Sequence, residues 1–134
     1  MVAVVNIDGL AMPNPGLGTY GYVIRIGGRD KIERCGLAGR RVTNNYAEYA
    51  ALEKALEEVA SLGEREVIVK SDSRLLVGQM GMGWKVKKGG YVEMYKKAKD
   101  MVKKFESVKF EWVPREKNEE ADMLTNIALK DLRS

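Results

Sequence analysis

The sequence predicts a mixed α/β fold: one five-stranded sheet flanked by helices, forming a single domain over residues 1–134. Three observations carry this expectation. Val2, Ala3, Val4, Val5 and Ile7 form an almost unbroken apolar run, which suits a strand buried on both faces. Two turn-bounded strands follow closely enough to make an antiparallel meander. Helical stripes then alternate with short apolar strands, at spacings that favour parallel pairs with a right-handed crossover. Strands 1–3 are therefore expected to be antiparallel, and strands 1, 4 and 5 parallel.

The first strand is expected to stop at Asp8, with Gly9 after it. Pro13, Asn14, Pro15, Gly16 and Gly18 then mark a loop. Tyr20 to Ile26 and Lys31 to Ala38 read as strands joined by Gly27-Gly28-Arg29-Asp30, with Cys35 expected to be a small core residue on an inner strand. A helix begins near Thr43 to Asn45 and runs to about Leu62, where Gly63 ends it. Its stripe of Ala51, Leu52, Ala55, Leu56, Val59 and Leu62 faces a core, and Glu48 lies on the extension of that stripe. Glu66 to Lys70 is a short strand ending at Ser71-Asp72-Ser73, which opens a helix through about Gln79. Residues 78–90 look irregular, and Tyr91 to Phe105 form a helix with lysines outward. Val108, Phe110 and Trp112 alternate with Lys109 and Glu111 as an edge strand. The last helix spans Asn118 to about Leu132, with Asp122 in its first turn, where the helix dipole favours an anion.

Composition narrows the chemistry. No apolar run approaches the roughly 20 residues of a membrane span, and no signal-peptide pattern opens the chain, so a cytoplasmic monomer without membrane contact is expected. Cys35 is the only cysteine and histidine is absent, which excludes disulfide frameworks, Cys-based zinc sites and Ser-His-Asp or Cys-His catalysis within the chain. Catalysis, if present, must use carboxylates, lysines, hydroxyls or an oxygen-bound metal. The net charge of +4 is uneven: eight lysines between 85 and 104 face only Glu93 and Asp100. That stripe suits a polyanion such as nucleic acid, although a lysine-rich helix face is also commonly just solvated.

Asp8, Glu48, Asp72 and Asp122 are expected to converge, since ends of parallel strands are where sites form in open α/β sheets. Each also has a purely structural reading. Asp8 could be a turn residue, Asp72 a helix cap, Asp122 a dipole acid, and Glu48 half of a capping box with Asn45. Two anions about 4 Å apart repel by roughly 4 kcal/mol at an effective dielectric of ~20, so a convergent cluster calls for cations. With oxygen the only donor, Mg²⁺ or Mn²⁺ fits, and a pair of such ions suits phosphodiester hydrolysis.

The order of motifs then carries a resemblance. A strand-end IDG, an NPG loop, TNNYAEY at a helix start, SDS after a short strand and NEEADMLTNIAL near the end together resemble the type 1 ribonuclease H family along essentially the whole chain. The resemblance implies a ribonuclease H-like fold and an endoribonuclease that cuts the RNA strand of RNA/DNA hybrids by a two-metal-ion mechanism. It makes Asp8, Glu48, Asp72 and Asp122 the metal-binding catalytic acids. Asn14, Asn44 and Asn45 correspond to residues near the minor groove, and Arg41 and Thr43 to the grip on a DNA-strand phosphate. Thr43 to Asn45 also suit plain helix capping.

Lys85, Lys87 and Lys88 fall where longer members carry a basic protrusion, but residues 79–91 are too few for its extra helix, which implies a more salt-sensitive grip. The histidine that many members carry before the last acid is missing, and Glu116 is a candidate to assist in its place, with Arg115 and Lys117 as alternatives. Tyr46 stands where arginine is common in the family, and Trp84 reads as packing or stacking. Rival readings are a hybrid- or duplex-RNA-binding module of low activity and a nuclease that also cuts duplex RNA.

Overall fold

The computed structural model describes residues 1–134. Its elements are β1 (Val2–Met12), β2 (Gly16–Ile26), β3 (Ile32–Val42), α1 (Asn44–Ser61), β4 (Glu66–Ser71), α2 (Arg74–Gly81), α3 (Val92–Val102), β5 (Ser107–Trp112) and α4 (Glu119–Arg133). The five strands form one sheet in the order β3-β2-β1-β4-β5. β1 pairs antiparallel with β2, and β2 with β3, whereas β1, β4 and β5 are parallel neighbours. The expected strand number and directions are those observed.

Two boundaries differ in ways that matter. β1 does not end at Asp8 but continues to Met12, because β2 pairs with it through Met12 and Leu17. The expected loop shrinks to a turn over Pro13, Asn14 and Pro15. The helix expected over 91–105 stops at Val102, where the chain turns so that the Glu106 N–H donates to the Arg65 carbonyl at 2.8 Å and β5 can begin. Cys35 lies on β3, the edge of the sheet, and is half-buried; it is not a residue of an inner strand.

The core sits where α1 crosses β1. Leu52, Ala55, Leu56 and Val59 are fully buried, as are Ala3, Val5 and Ile7 beneath them. Truncating Leu52 or Leu56 to alanine would cost about 2–5 kcal/mol, lost transfer energy plus a cavity. α4 packs on β1, β2 and β3, and Thr19 fastens it by donating to the Thr125 carbonyl at 2.9 Å. α1 begins sharply because the Thr43 hydroxyl accepts the Tyr46 N–H at 3.1 Å. No helix is long and apolar enough to cross a membrane.

Candidate active site

β1 and β4 run side by side up to Asn6 and Lys70 and are not bridged beyond. Asp8 and Asp72 each stand two residues past that last pair, Asp8 within β1 and Asp72 just after β4. Glu48 comes from the second turn of α1. Its approach depends on Gly9, where a Cβ would lie 2.2 Å from both the Ala47 carbonyl carbon and the Glu48 nitrogen. Only glycine lets the helix backbone rest so close to the strand. Asp122 enters from the first turn of α4.

Oxygens of Asp8, Glu48 and Asp72 lie within 4.8 Å of one another. Asp8 and Glu48 are buried, at 6% and 8% exposure, and Asp72 is half-buried. All four acids line a cavity of about 380 Å³, together with Gly9, Leu10, Asn44, Trp112 and Arg115. Burial first, and then the charge of Asp72, pushes the Asp8 carboxyl up to about 7. Burial, reinforced by Asp8 and Asp72, holds Glu48 well above the ordinary carboxylate range. Asp72 is also raised by burial, against the opposing influence of Asn118 and Arg115.

The structural readings of the acids fit less well. Thr43, not Asn45, caps α1, so Glu48 has no capping-box partner. Ser73 caps α2 by accepting the Leu76 N–H at 3.2 Å, which relieves Asp72 of that role. Glu48 Oε2 is the telling atom: it is buried and has no hydrogen-bond partner. A buried carboxylate oxygen left unpaired is costly, and a hard divalent cation shared with Asp8 and Asp72 would satisfy it. The donor set, all oxygen and strongly anionic, therefore fits such an ion.

Two residues that the sequence reading treats only as ends of elements hold this cluster together. Asn118 is almost fully buried; its amide nitrogen donates to the Ile7 carbonyl at 2.8 Å and its amide oxygen accepts from Asn6 at 3.0 Å. Its carbonyl also accepts the Asp122 N–H at 3.1 Å, so one side chain and its backbone join β1 to the start of α4. The Trp112 indole donates to the Asp72 carbonyl at 3.2 Å, and the Arg74 guanidinium lies 4.0 Å over its ring. An amide directly before the acidic turn Glu119-Glu120-Ala121-Asp122 was the available signal for Asn118; nothing local signals Trp112.

The other named residues separate by position. Asn14 and Asn44 are brought together: the Asn44 N–H donates to Asn14 Oδ1 at 3.0 Å, and Asn44 Oδ1 accepts the Ala11 N–H at 2.7 Å. Thr43 and Asn45 are half-buried beside them, and Arg41 is exposed near the end of β3. Lys85, Lys87 and Lys88 are exposed between α2 and α3, outside the cavity. Of the short 3₁₀ turn Arg115–Lys117, Arg115 lines the cavity whereas Glu116 is exposed and does not.

Comparison with known proteins agrees with this geometry. A reverse transcriptase-like family model matches residues 6–128. The bifunctional protein Rv2228c of Mycobacterium tuberculosis is 37% identical over 130 residues, 96% of this chain; the chain spans only 36% of that relative's length. The crystal structure of RNase H1 from the halophilic archaeon Halobacterium salinarum superposes with a TM-score of 0.90 at 32% identity, covering 98% of this chain and 99% of the other. LC11-RNase H1, solved in complex with an RNA/DNA hybrid, gives a TM-score of 0.90 at 34% identity over 98% of this chain and 99% of its own. The same fold, near-complete mutual coverage and the ordered motifs that build the acidic cavity place the chain in the type 1 ribonuclease H family.

Proposed function

We propose that this chain acts as a monomeric endoribonuclease that hydrolyses the RNA strand of RNA/DNA hybrids. The observation that carries this reading is the cluster of Asp8, Glu48 and Asp72, with Glu48 Oε2 buried and unpartnered. Asp8, Glu48, Asp72 and Asp122 would hold two hard divalent ions, Mg²⁺ or Mn²⁺. When bound, such ions supply the Lewis acidity that in-line phosphodiester displacement needs.

The chain's own residues do the rest. Asn14 and Asn44 spend their amide oxygens on backbone N–H groups, which leaves their amide nitrogens to donate to 2′-hydroxyls and base acceptors in a minor groove. Asn45 extends that row at the start of α1. Arg41 and the N-terminus of α1 around Thr43 suit a phosphate of the DNA strand. Lys85, Lys87 and Lys88 offer charge to the backbone further along. Arg115, at the cavity wall, supports Asp72 in its ionised form. Glu116 sits outside the wall, so its part in proton transfer would require the turn to move.

The test incubates labelled RNA/DNA hybrid, duplex RNA and duplex DNA with the protein in Mg²⁺, Mn²⁺ or chelator, alongside Asp72→Asn. The expected result is metal-dependent cutting of the hybrid's RNA strand that the variant loses. Binding without cutting in either metal would make the chain a hybrid-binding module instead. Equal cutting of duplex RNA would widen the substrate class.

A further inference from the structure

The exposed lysines at 85, 87 and 88 belong to a segment without regular secondary structure, yet that segment is not loose. It is fastened to the end of α2 at three points. The Trp84 N–H donates to the Gly78 carbonyl at 3.0 Å. The Trp84 ring lies on Gly78, where a Cβ would stand 2.1 Å from the ring carbons. The Gln79 amide donates to the Lys85 carbonyl at 3.4 Å, on the residue that carries the first of the lysines.

Gln79 is itself held from the other side. It is 2% exposed, its amide oxygen accepts the Tyr49 hydroxyl at 2.6 Å, and its amide nitrogen also donates to the Tyr91 hydroxyl at 3.1 Å. Tyr49 belongs to α1, one residue from Glu48, and stacks on Tyr91 with ring centroids 5.7 Å apart. A continuous set of contacts, buried at Tyr49, Gln79 and Tyr91 and part-buried at its last link, therefore runs from the helix that bears Glu48, through Gln79, to the backbone that bears Lys85. No bound ion is needed to complete it.

We propose that Gln79, with Gly78 as the seat of Trp84, is a positioning residue that fixes the basic segment as a rigid arm at a set distance from the carboxylates. The segment forms no helix of its own, and a free loop would lose conformational entropy each time it closed on a phosphate backbone. Docking it in advance keeps that cost out of substrate binding. Gln79 is buried and does not line the carboxylate cavity, so its influence falls on KM and not on kcat. The inference rests on the hybrid-cleaving reading for its functional half, while the docking itself stands on the contacts alone.

The experiment compares the wild-type chain with Gln79→Leu, which removes the amide, and Gly78→Ala, which unseats Trp84 but keeps every hydrogen-bonding group of Gln79. Trypsin cuts after lysine, so cleavage at 85, 87 and 88 reports how firmly the segment is held. Both variants should be cut there on the order of tenfold faster while still melting cooperatively. With an RNA/DNA hybrid, KM should rise about tenfold and kcat stay within about twofold. Unchanged trypsin rates in Gly78→Ala would overturn the docking. Faster proteolysis with an unchanged KM, or a loss confined to kcat, would overturn the positioning role. A wild-type chain that neither binds nor cuts the hybrid would sink the proposed function, and the trypsin rates would still decide the docking.

Discussion

Glu48 and Tyr49 are adjacent on α1, both buried, and both end in polar atoms, yet they belong to opposite kinds of cluster. Tyr49 enters a network in which its hydroxyl, the Gln79 amide and the Tyr91 hydroxyl are paired. Glu48 enters a group of carboxylates that repel one another and leave Glu48 Oε2 without a partner. A satisfied polar network stabilises and orients the fold around it. An unsatisfied anionic one costs stability and persists because a ligand completes it. The contrast sets a paired polar group beside an unpaired one within a single helical turn.

The strongest way to break the contrast is to neutralise the anionic side. Asp8→Asn or Asp72→Asn should lower hybrid cleavage on the order of 10³-fold with the fold retained by circular dichroism. A folded variant with nearly full turnover would return these acids to a structural role. On the satisfied side the expectation reverses. Tyr49→Phe leaves the Gln79 amide oxygen unpaired and should cost about 1–3 kcal/mol in urea unfolding, while divalent ions still stabilise the variant.

Proton linkage sharpens the contrast further. Asp8 and Glu48 have carboxyls raised above their unfolded values, so the native chain binds more protons than the unfolded chain between the two. Without divalent ions, stability should be fullest below pH about 4 and should fall by several kcal/mol as pH rises from about 4 to about 7. Excess Mg²⁺ should remove most of that fall. The smallest effect separates two neighbours in the 3₁₀ turn. Arg115→Ala, at the cavity wall, should slow cleavage about threefold relative to Glu116→Gln, as measured under saturating hybrid.

Much of this arrangement was legible in the sequence because it follows from periodicity. The apolar run at Val2–Ile7 and the stripe from Ala51 to Val59 set the sheet and its covering helix. Glu48, on the extension of that stripe, could only point inward. The continuation of β1 past Asp8 was not legible, since Pro13, Asn14 and Pro15 signal a loop and only pairing with β2 extends the strand to Met12. Gln79 was missed for a related reason. A glutamine near a helix end reads as surface, and its burial depends on Tyr49 and Tyr91, which are 30 and 12 residues away in sequence. Asn118 and Trp112 likewise acquire their roles from strands remote in the chain.

If the carboxylate cluster is an unfinished site that a hard ion completes, metal binding and stability are linked. The most direct measurement is the thermal midpoint of the wild-type chain and of Asp8→Asn at pH 8, first in chelator and then across a Mn²⁺ titration. Asp8→Asn should melt above the wild-type chain in chelator, Mn²⁺ should raise the wild-type midpoint, and the variant should respond far less. A wild-type midpoint indifferent to Mn²⁺, or a metal-free variant that melts below the wild-type chain, would contradict it.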